Sequence, residues 1–553
     1  MGTRYVRSDV EATAAGAAGV ELTTSSTGLT DVYVYGDVNI TSSDDDGIKG
    51  LGSEHDALIG GFIIGDINGV RLGDNRSTDH DNRVIIYSGA AVVGINSAGV
   101  AVNGYNSIVD VEGEIQGDLY GVLMSGVSTK FKSTIINDGE IYANSYGVAH
   151  SLTGGDTEGL VLRNTGRIEA ELFSFYGGDT NSAADRIVNS GVMIGDVAMG
   201  GGNDVYDARE GGTIVGSVYG GLGDDRFVGT AGRQTFAGDA GNDRLDGGRG
   251  YDILIGGIGD DTYVVNNTIN ESNPDDPEAL GTIYGDQVVE GKSQGIDTIL
   301  ANFAFDLNRY ENVENGTLTS LSQENSFGGS VFGNALANVV TGNGGQNVID
   351  GREGADQMIG LGGNDTYYAD NIGDRIAEEI NGGIDEVRSS ATFSLGGSQV
   401  ENLTLTGEGA INGTGNSLSN IIYGNFGANV INGGAGSDAI FLTNLYGADD
   451  DTIVFSSTLG INNVDTISAF NGNLGDVIQL NNSIFTTLSD GALLASAYQA
   501  GNSDVAANAD VRIIYNQASQ TLLYDQDGNG SATAIAFAKM SSSFIDSASF
   551  FVI

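Results

Sequence analysis

The chain has 553 residues with 23 Lys+Arg against 73 Asp+Glu, a formal net charge of −50, and so no cationic surface with which to neutralise nucleic-acid phosphates. With no Cys and only His55, His80 and His150, disulfides, thiol catalysis and Cys-ligated zinc or iron are excluded, and the hard cation calcium is the natural counterpart. No apolar run approaches the roughly 18 residues of a membrane span, residues 1–10 lack the apolar stretch of a cleavable export leader, and the 88 Gly with 2 Pro show no collagen period.

Residues 1–199 carry a loose period. The segments 111–117 (VEGEIQG), 137–143 (NDGEIYA), 164–170 (NTGRIEA) and 189–195 (NSGVMIG) share a Gly at 113, 139, 166 and 191, spacings of 26, 27 and 25. A second motif, Gly-Val plus apolar, recurs at 69–72, 99–102, 121–124 and 147–149. A rung of about 25 residues with two or three short strands predicts a right-handed β-helix, with Gly and Asn at the corners and Val, Ile and Leu stacked inside. The layout resembles β-helix passenger regions of surface proteins and of some carbohydrate-active enzymes, a likeness of architecture that says little about chemistry. Asp110, Glu112, Glu114, Tyr120 and Lys130 fall near adjacent rungs and form the group that a lyase, epimerase or glycosidase would draw on, although surface carboxylates are expected anyway in so acidic a chain. Glu54-His55 lacks the second His of a zinc-protease helix, and no G-x-S-x-G elbow occurs.

Residues 200–204 (GGGND) introduce a different turn, and from Gly220 a nonapeptide runs in unbroken register: GGLGDDRFV, GTAGRQTFA, GDAGNDRLD, GGRGYDILI and GGIGDDTYV, ending at Val264. Two further blocks keep the step, one over 333–368 beginning GNALANVVT and one over 415–441 beginning GNSLSNIIY. The formula G-G-x-G-x-D-x-U-x, with U apolar, is the known signature of calcium-binding β-helix repeats. Its glycines permit turn angles closed to other residues, and its sixth residue offers a carboxylate beside backbone carbonyls, the all-oxygen shell calcium prefers. The eighth residue, Phe227, Phe236, Leu245, Leu254 or Tyr263 in the first block, is expected to point inward from a strand too short to stand alone.

On these motifs the chain resembles the RTX, or haemolysin-type, calcium-binding proteins, whose repeats form a parallel β-roll. The resemblance implies that two nonapeptides make one coil and that calcium sits between turns one coil apart on the same edge. It pairs Asp225 with Asp243, Asp243 with Asp261, Gln234 with Asp252, Asn338 with Asp356, Asn347 with Asp365 and Asn420 with Asp438. The implied calcium-site residues are the turn glycines Gly220, Gly221, Gly223, Gly238, Gly241, Gly247, Gly250, Gly256, Gly259, Gly354, Gly363 and Gly436; the carboxylates Asp204, Asp225, Asp243, Asp252, Asp261, Asp356, Asp365 and Asp438; and the amides Asn338, Asn347, Asn420 and Asn429. The Asn turns bring no charge, and they read either as weaker sites or as packed coils that hold no ion. At the junction Asp204 and Asp225 stand 21 apart rather than 18, which leaves a shared ion there open.

Between the blocks, the spacers 265–332 and 369–414 repeat one another: DTYVV at 261–265 recurs as DTYYA at 365–369, and GIDTIL at 295–300 as GIDEVR at 383–388. Their alternation predicts solenoid strands, and their acidic members, Asp385, Glu386 and Glu401 among them, read as surface residues. Residues 442–553 resemble the closing region of many RTX proteins, a β-rich cap that in that family also holds an uncleaved signal read by a type I ABC exporter; the tail FIDSASFFVI suits that role. The loop 525–530 (DQDGNG) looks superficially like an EF-hand, but Ala536 stands where a bidentate Glu is needed, so a tight hairpin turn is expected.

The whole is therefore expected to be an all-β, parallel β-solenoid: a β-helix over 1–199, RTX blocks over 200–264, 333–368 and 415–441, the two spacers, and the cap. The resemblance implies a secreted, extracellular protein that binds several Ca2+ ions and folds on loading after export, with a structural, surface-associated or adhesive role for which a cell-surface glycan or matrix is the expected partner. A secreted carbohydrate-active enzyme using the N-terminal β-helix is the alternative, and a membrane-damaging toxin lacks the long apolar helices of its pore-forming relatives.

Overall fold

A computed structural model of the chain describes residues 2–6, 10–12, 19–23, 30–74, 79–125, 132–151, 158–178, 183–268, 284–319, 327–442, 450–541 and 545–553. Among these there is no α-helix, only strands and short 3-10 turns, and no helix is long and apolar enough to cross a membrane. The chain divides into two compact units, residues 1–300 with 310–313, and residues 301–309 with 314–553.

In the first unit the strands stack in parallel on their counterparts one coil away. Arg83–Ile86, Ile108–Val111, Thr134–Asn137, Glu158–Asn164 and Ala184–Asn189 form one ladder, continued by Val205–Asp207, Arg226–Val228, Arg244–Asp246 and Thr262–Val265. Strands of the remaining faces, such as Ala91–Gly94, Glu114–Gly117 and Glu140–Ala143, stack in the same sense. Alternation decides which side chains go inward. Val84, Val109, Ile135, Leu162, Ile187, Tyr206, Phe227, Leu245 and Tyr263 occupy successive places in one register, and all are 0% exposed. The coil shortens along this column. Hydrogen bonds between counterparts span 25 to 27 residues in the N-terminal coils, 19 and 21 on approaching the nonapeptides, and 18 within them.

Asn137, Asn164 and Asn189 each end a strand at a corner, as the sequence suggests, and their side chains are buried there. They are buried in a ladder in which each Nδ2 donates to the next Oδ1 at 2.7 and 2.8 Å, ending on the Tyr206 hydroxyl. A buried amide has both a donor and an acceptor to place, and the column satisfies both at Asn164 and Asn189, while Asn137 Oδ1 at its head is buried without a partner.

The second unit repeats the scheme. Val331, Ile349, Tyr367, Val387, Leu403, Ile422, Ile440 and Ile467 form its inward column through parallel strands that include the spacer strands Glu386–Ser389 and Asn402–Leu405. Beyond it the pairing changes sense: Ile513–Asn516, Thr521–Tyr524 and Ile535–Met540 are antiparallel neighbours. The connection 525–534 is a hairpin but not a tight one, because Asp527 Oδ2 accepts from the backbone of Ser531 and Ala532 (2.9 and 3.1 Å) and holds a wider loop. Phe550–Val552 lies parallel to Val477–Leu480 with Phe550 and Val552 buried. Phe544 lies outside the described residues.

Candidate metal-binding ladder

The glycines of the nonapeptide serve two different needs. Gly221 and Gly223 take φ of +103° and +114°, left-handed values that a Cβ resists. The first glycine of each repeat does not need such angles. A Cβ on Gly220, Gly238, Gly247 or Gly256 would instead run into the Oδ2 of Asp225, Asp243, Asp252 or Asp261 in its own repeat. Position one is therefore kept empty to admit the carboxylate of position six, a requirement of space that the reading of turn angles alone misses. The fourth glycines Gly223, Gly241 and Gly259 lie against the carbonyls of Gly202, Gly223 and Gly241 one coil back. Gly354 and Gly436 meet Leu336 and Leu418 in the same way, while Gly250 and Gly363 sit over Gly232 and Gly345.

These turns bring the position-six residues into register. The backbone N–H of Asp204 donates to Asp225 Oδ1, that of Asp225 to Asp243 Oδ1, and that of Asp243 to Asp261 Oδ1, each at 2.7 Å. The opposite edge joins Gln234 to Asp252 at 2.7 Å. In the second unit the N–H groups of Asn338, Asn347 and Asn420 donate to Asp356, Asp365 and Asp438 at 2.7, 2.6 and 2.8 Å, and that of Asn429 donates to Asp451 at 2.8 Å. Every pair expected from the 18-residue step is thus adjacent, and the irregular step at Asp204 does not interrupt the ladder.

The second carboxylate oxygen is treated differently. Oδ2 of Asp185, Asp204, Asp225, Asp243, Asp252, Asp261, Asp356, Asp365 and Asp438 is buried and has no hydrogen-bond partner. A buried carboxylate with an unsatisfied oxygen is costly, and a column of them without intervening cations more so. Burial pushes Asp204, Asp225 and Asp252 up to about 8, Asp261, Asp356, Asp365 and Asp438 up to about 7, and Asp243 up to about 6; a neighbouring carboxylate of the ladder adds to the rise at Asp204, Asp225 and Asp261. The donor set, carboxylate oxygens beside the carbonyls of a glycine turn, fits a hard cation.

The amide turns have no such deficit. Asn338, Asn347, Asn420 and Asn429 each accept, through Oδ1, the backbone N–H four residues earlier at 2.8 to 3.0 Å. Their Nδ2 donates back to the carbonyls of Glu314, Gly329, Val400 and Ile411. Both ends of the amide are engaged by the protein.

The ladder is longer than its glycine-rich stretches. Asp185 accepts from Leu160, Asp286 from Asp252, Asp297 from Asp261, Asp374 from Asp356, Asp385 from Asp365, Asp465 from Asp438 and Asp476 from Asp451. Asp385, read from sequence as a surface residue, is 1% exposed, while Glu386 and Glu401 are half-buried, Glu386 pairing with Arg388 and Glu401 accepting from the Asp385 N–H at 2.9 Å. The signal that finds these residues is Asp two places before an inward apolar residue, as in DRIV, DTIL and DEVR, with or without glycines in front. Earlier in the first unit the same edge is neutral: His55, Asn82 and Ser107 donate through their backbone to Asn82 Oδ1, Ser107 Oγ and Ser133 Oγ.

The group suggested for catalysis is assembled only in part: Glu112 and Glu114 line one groove of about 640 Å3 with Asp138, Glu140 and Arg167, and burial and then Glu112 push the Asp110 carboxyl above its ordinary range, whereas Tyr120 stacks on Tyr146 at 5.3 Å and Lys130 lies outside the described residues. A groove of about 550 Å3 lies nearby, lined by Gln116, Tyr142, Asn144, Glu169 and Glu171 among others.

Residues 219–254, 237–266, 332–367 and 414–444 match the RTX calcium-binding nonapeptide repeat. The chain carries RTX repeats. The matched stretches coincide with the turns whose glycine and Asp columns are described above, and they leave the N-terminal coils and the spacers unmatched. No curated protein matches the chain.

Proposed function

We propose that this is a secreted calcium-binding repeat protein whose Asp-lined coils complete their folding when calcium loads between turns. The observation that carries the reading is the column of buried Oδ2 atoms without partners in RTX-matched turns. Asp204, Asp225, Asp243, Asp252, Asp261, Asp356, Asp365 and Asp438, with the carbonyls of their glycine turns, are the residues that would hold the ions. Calcium supplies the positive charge that a buried carboxylate column otherwise lacks. The chain supplies the rest: glycines that leave room for the carboxylate, backbone N–H groups that fix its Oδ1, and an apolar column that stacks only when the turns are neutralised.

A net charge of −50 gives the switch its direction. At low free calcium, crowded carboxylates repel and oppose compaction, which suits a chain threaded through a type I ABC exporter. At millimolar extracellular calcium, binding free energy becomes folding free energy. The long regular faces fit a structural or surface-associated role. Far-UV circular dichroism of the full chain at millimolar calcium and in chelator tests this: the β signal should rise on calcium addition and fall on chelation, and a spectrum indifferent to both would refute it.

A second reading is favoured by the groove at Tyr142, Glu169 and Glu171: aromatic and carboxylate side chains on stacked strands are what a saccharide-binding cleft of a β-helix enzyme offers. Turnover of polyuronates or neutral polysaccharides that is abolished by Glu169→Gln would support it; no turnover across such a panel would leave the groove without a catalytic role.

A further inference from the structure

The last Asp of the first and second repeat blocks is met by two acidic residues from the spacer that follows. Ligand-capable atoms of Asp261, Glu290 and Asp297 lie within 4.8 Å of one another, and so do those of Asp365, Glu378 and Asp385. Asp261, Glu290 and Asp297 are all buried, as are Asp365 and Asp385. Glu290, Asp297, Glu378 and Asp385 all fall outside the stretches that match the RTX repeat.

The two clusters are built alike. Tyr263 and Tyr367, both fully buried, donate their hydroxyls to Glu290 and Glu378 and hold those carboxylates against the turn. Asp297 and Asp385 accept the backbone N–H of Asp261 and Asp365 at 2.8 Å. In each, Oδ2 of the block's last Asp is buried without a partner. Its direction is fixed by what surrounds the first glycine of the repeat: a Cβ on Gly360 would strike the Tyr367 hydroxyl, Asp365 Oδ2 and Glu378 Oε1 together, and one on Gly256 the Tyr263 hydroxyl and Asp261 Oδ2. The bare oxygen therefore faces into the cluster. No Lys or Arg forms an ion pair with Asp261, Asp365, Glu378 or Asp385 among the described residues.

The likeness follows the repeat of the two spacers: DQVVEGKSQGID at 286–297 recurs as DRIAEEINGGID at 374–385, with the same steps from Glu290 to Asp297 and from Glu378 to Asp385. The connection that precedes it differs, Tyr263 and Glu290 being 27 residues apart and Tyr367 and Glu378 only 11, yet the tyrosine meets the same glutamate in both.

We propose that these clusters are a duplicated divalent-cation site of calcium's class, built on the last turn of each nonapeptide block, in which the spacer closes the block by supplying two carboxylates to its last Asp. The proposal rests on the calcium reading of the repeats and adds to it a place and a rank. Three carboxylates at one point exceed the charge of an ordinary turn, and oxygen-ligand sites for calcium tighten with ligand charge, so these sites fill first as calcium is raised.

The test is a calcium titration of the full chain, with bound ions counted after equilibrium dialysis, and a parallel Tb3+ titration with emission excited through tyrosine; the chain has no Trp to compete. The Glu290→Gln/Glu378→Gln variant should lose one ion per cluster, from the tightest class, together with most of the tyrosine-sensitised Tb3+ emission at low occupancy, while the later phase of binding persists. An unchanged tight class and unchanged emission would show that the clusters hold shared protons and would overturn the proposal. A wild-type chain that takes up no calcium would overturn the repeat reading itself. If the Gln variant does not fold, Tyr263→Phe/Tyr367→Phe serves instead: early Tb3+ emission should fall sharply, and emission equal to wild type would again refute the site.

Discussion

At the scale of the residue, the difference between Asp and Asn at position six is whether the second side-chain atom finds a partner in the protein. Asn347 spends its oxygen on the Asn343 N–H and its nitrogen on the Gly329 carbonyl, whereas Asp243 keeps one oxygen with no donor in reach. Asp243→Asn should accordingly lower the number of calcium ions bound and raise the metal-free stability of the neighbouring coils by about 1–3 kcal/mol, the usual cost of a buried unsatisfied polar group. Denaturant titration in chelator reads this, and a loss of metal-free stability would contradict it. Gly220→Ala acts in the opposite sense, since its Cβ competes with Asp225 Oδ2 for the same space; calcium affinity should fall while Gly232→Ala, with more room around its Cβ, leaves it nearly unchanged. Titration belongs to the same scale. The folded-state values of Asp204, Asp225, Asp252, Asp261 and Asp356, about 7 to 8, stand above the ordinary carboxylate value of about 3.9, so the fold favours the protonated form. Without metal that stabilisation is fully present below about pH 4 and is lost as pH rises through about 6 to 8. In chelator the melting temperature should therefore fall between about pH 5 and pH 8, and saturating calcium should remove or invert that slope.

At the scale of the element, each coil contributes one turn and one inward side chain to a column, and stability is shared between neighbours. Phe227 stacks edge-on to Phe236 at 5.5 Å and is fully buried. Phe227→Ala should cost about 3–5 kcal/mol in calcium-saturated denaturation, while Val215→Ala on an exposed strand position should cost little. Much of this was legible. The nonapeptide formula locates the Asp turns, because Gly and Asp there answer to strict local geometry, and the resemblance to RTX proteins implies their pairing at 18 residues. Asp185, Asp297, Asp385 and Asp476 were not legible by that formula, since a ladder position needs only an Asp before an inward apolar residue and the glycines belong to the tight turn rather than to the ladder. Glu290 and Glu378 share a place in the two repeated spacers, seven residues before Asp297 and Asp385, but their approach to the Tyr263 and Tyr367 hydroxyls comes only from the fold.

At the scale of the molecule, charge is distributed along the ladder rather than spread evenly. On one edge of the first unit the ladder residues are Asn82, Ser107 and Ser133, neutral groups satisfied by the backbone, and then Asp from 185 onward. A buried amide ladder at Asn137, Asn164 and Asn189 runs across that change, Asn189 sharing a strand with Asp185. The proposed function predicts that the Asp-lined coils depend on calcium more than the neutral coils before them. The measurement that tests this most directly is hydrogen exchange of the full chain, peptide by peptide, at millimolar calcium and in chelator. Peptides across Arg226–Val228, Arg244–Asp246 and Thr262–Val265 should lose protection by orders of magnitude when calcium is removed, while those across Arg83–Ile86 and Ile108–Val111 change little; equal protection of the Asp-lined coils with and without calcium would contradict the account.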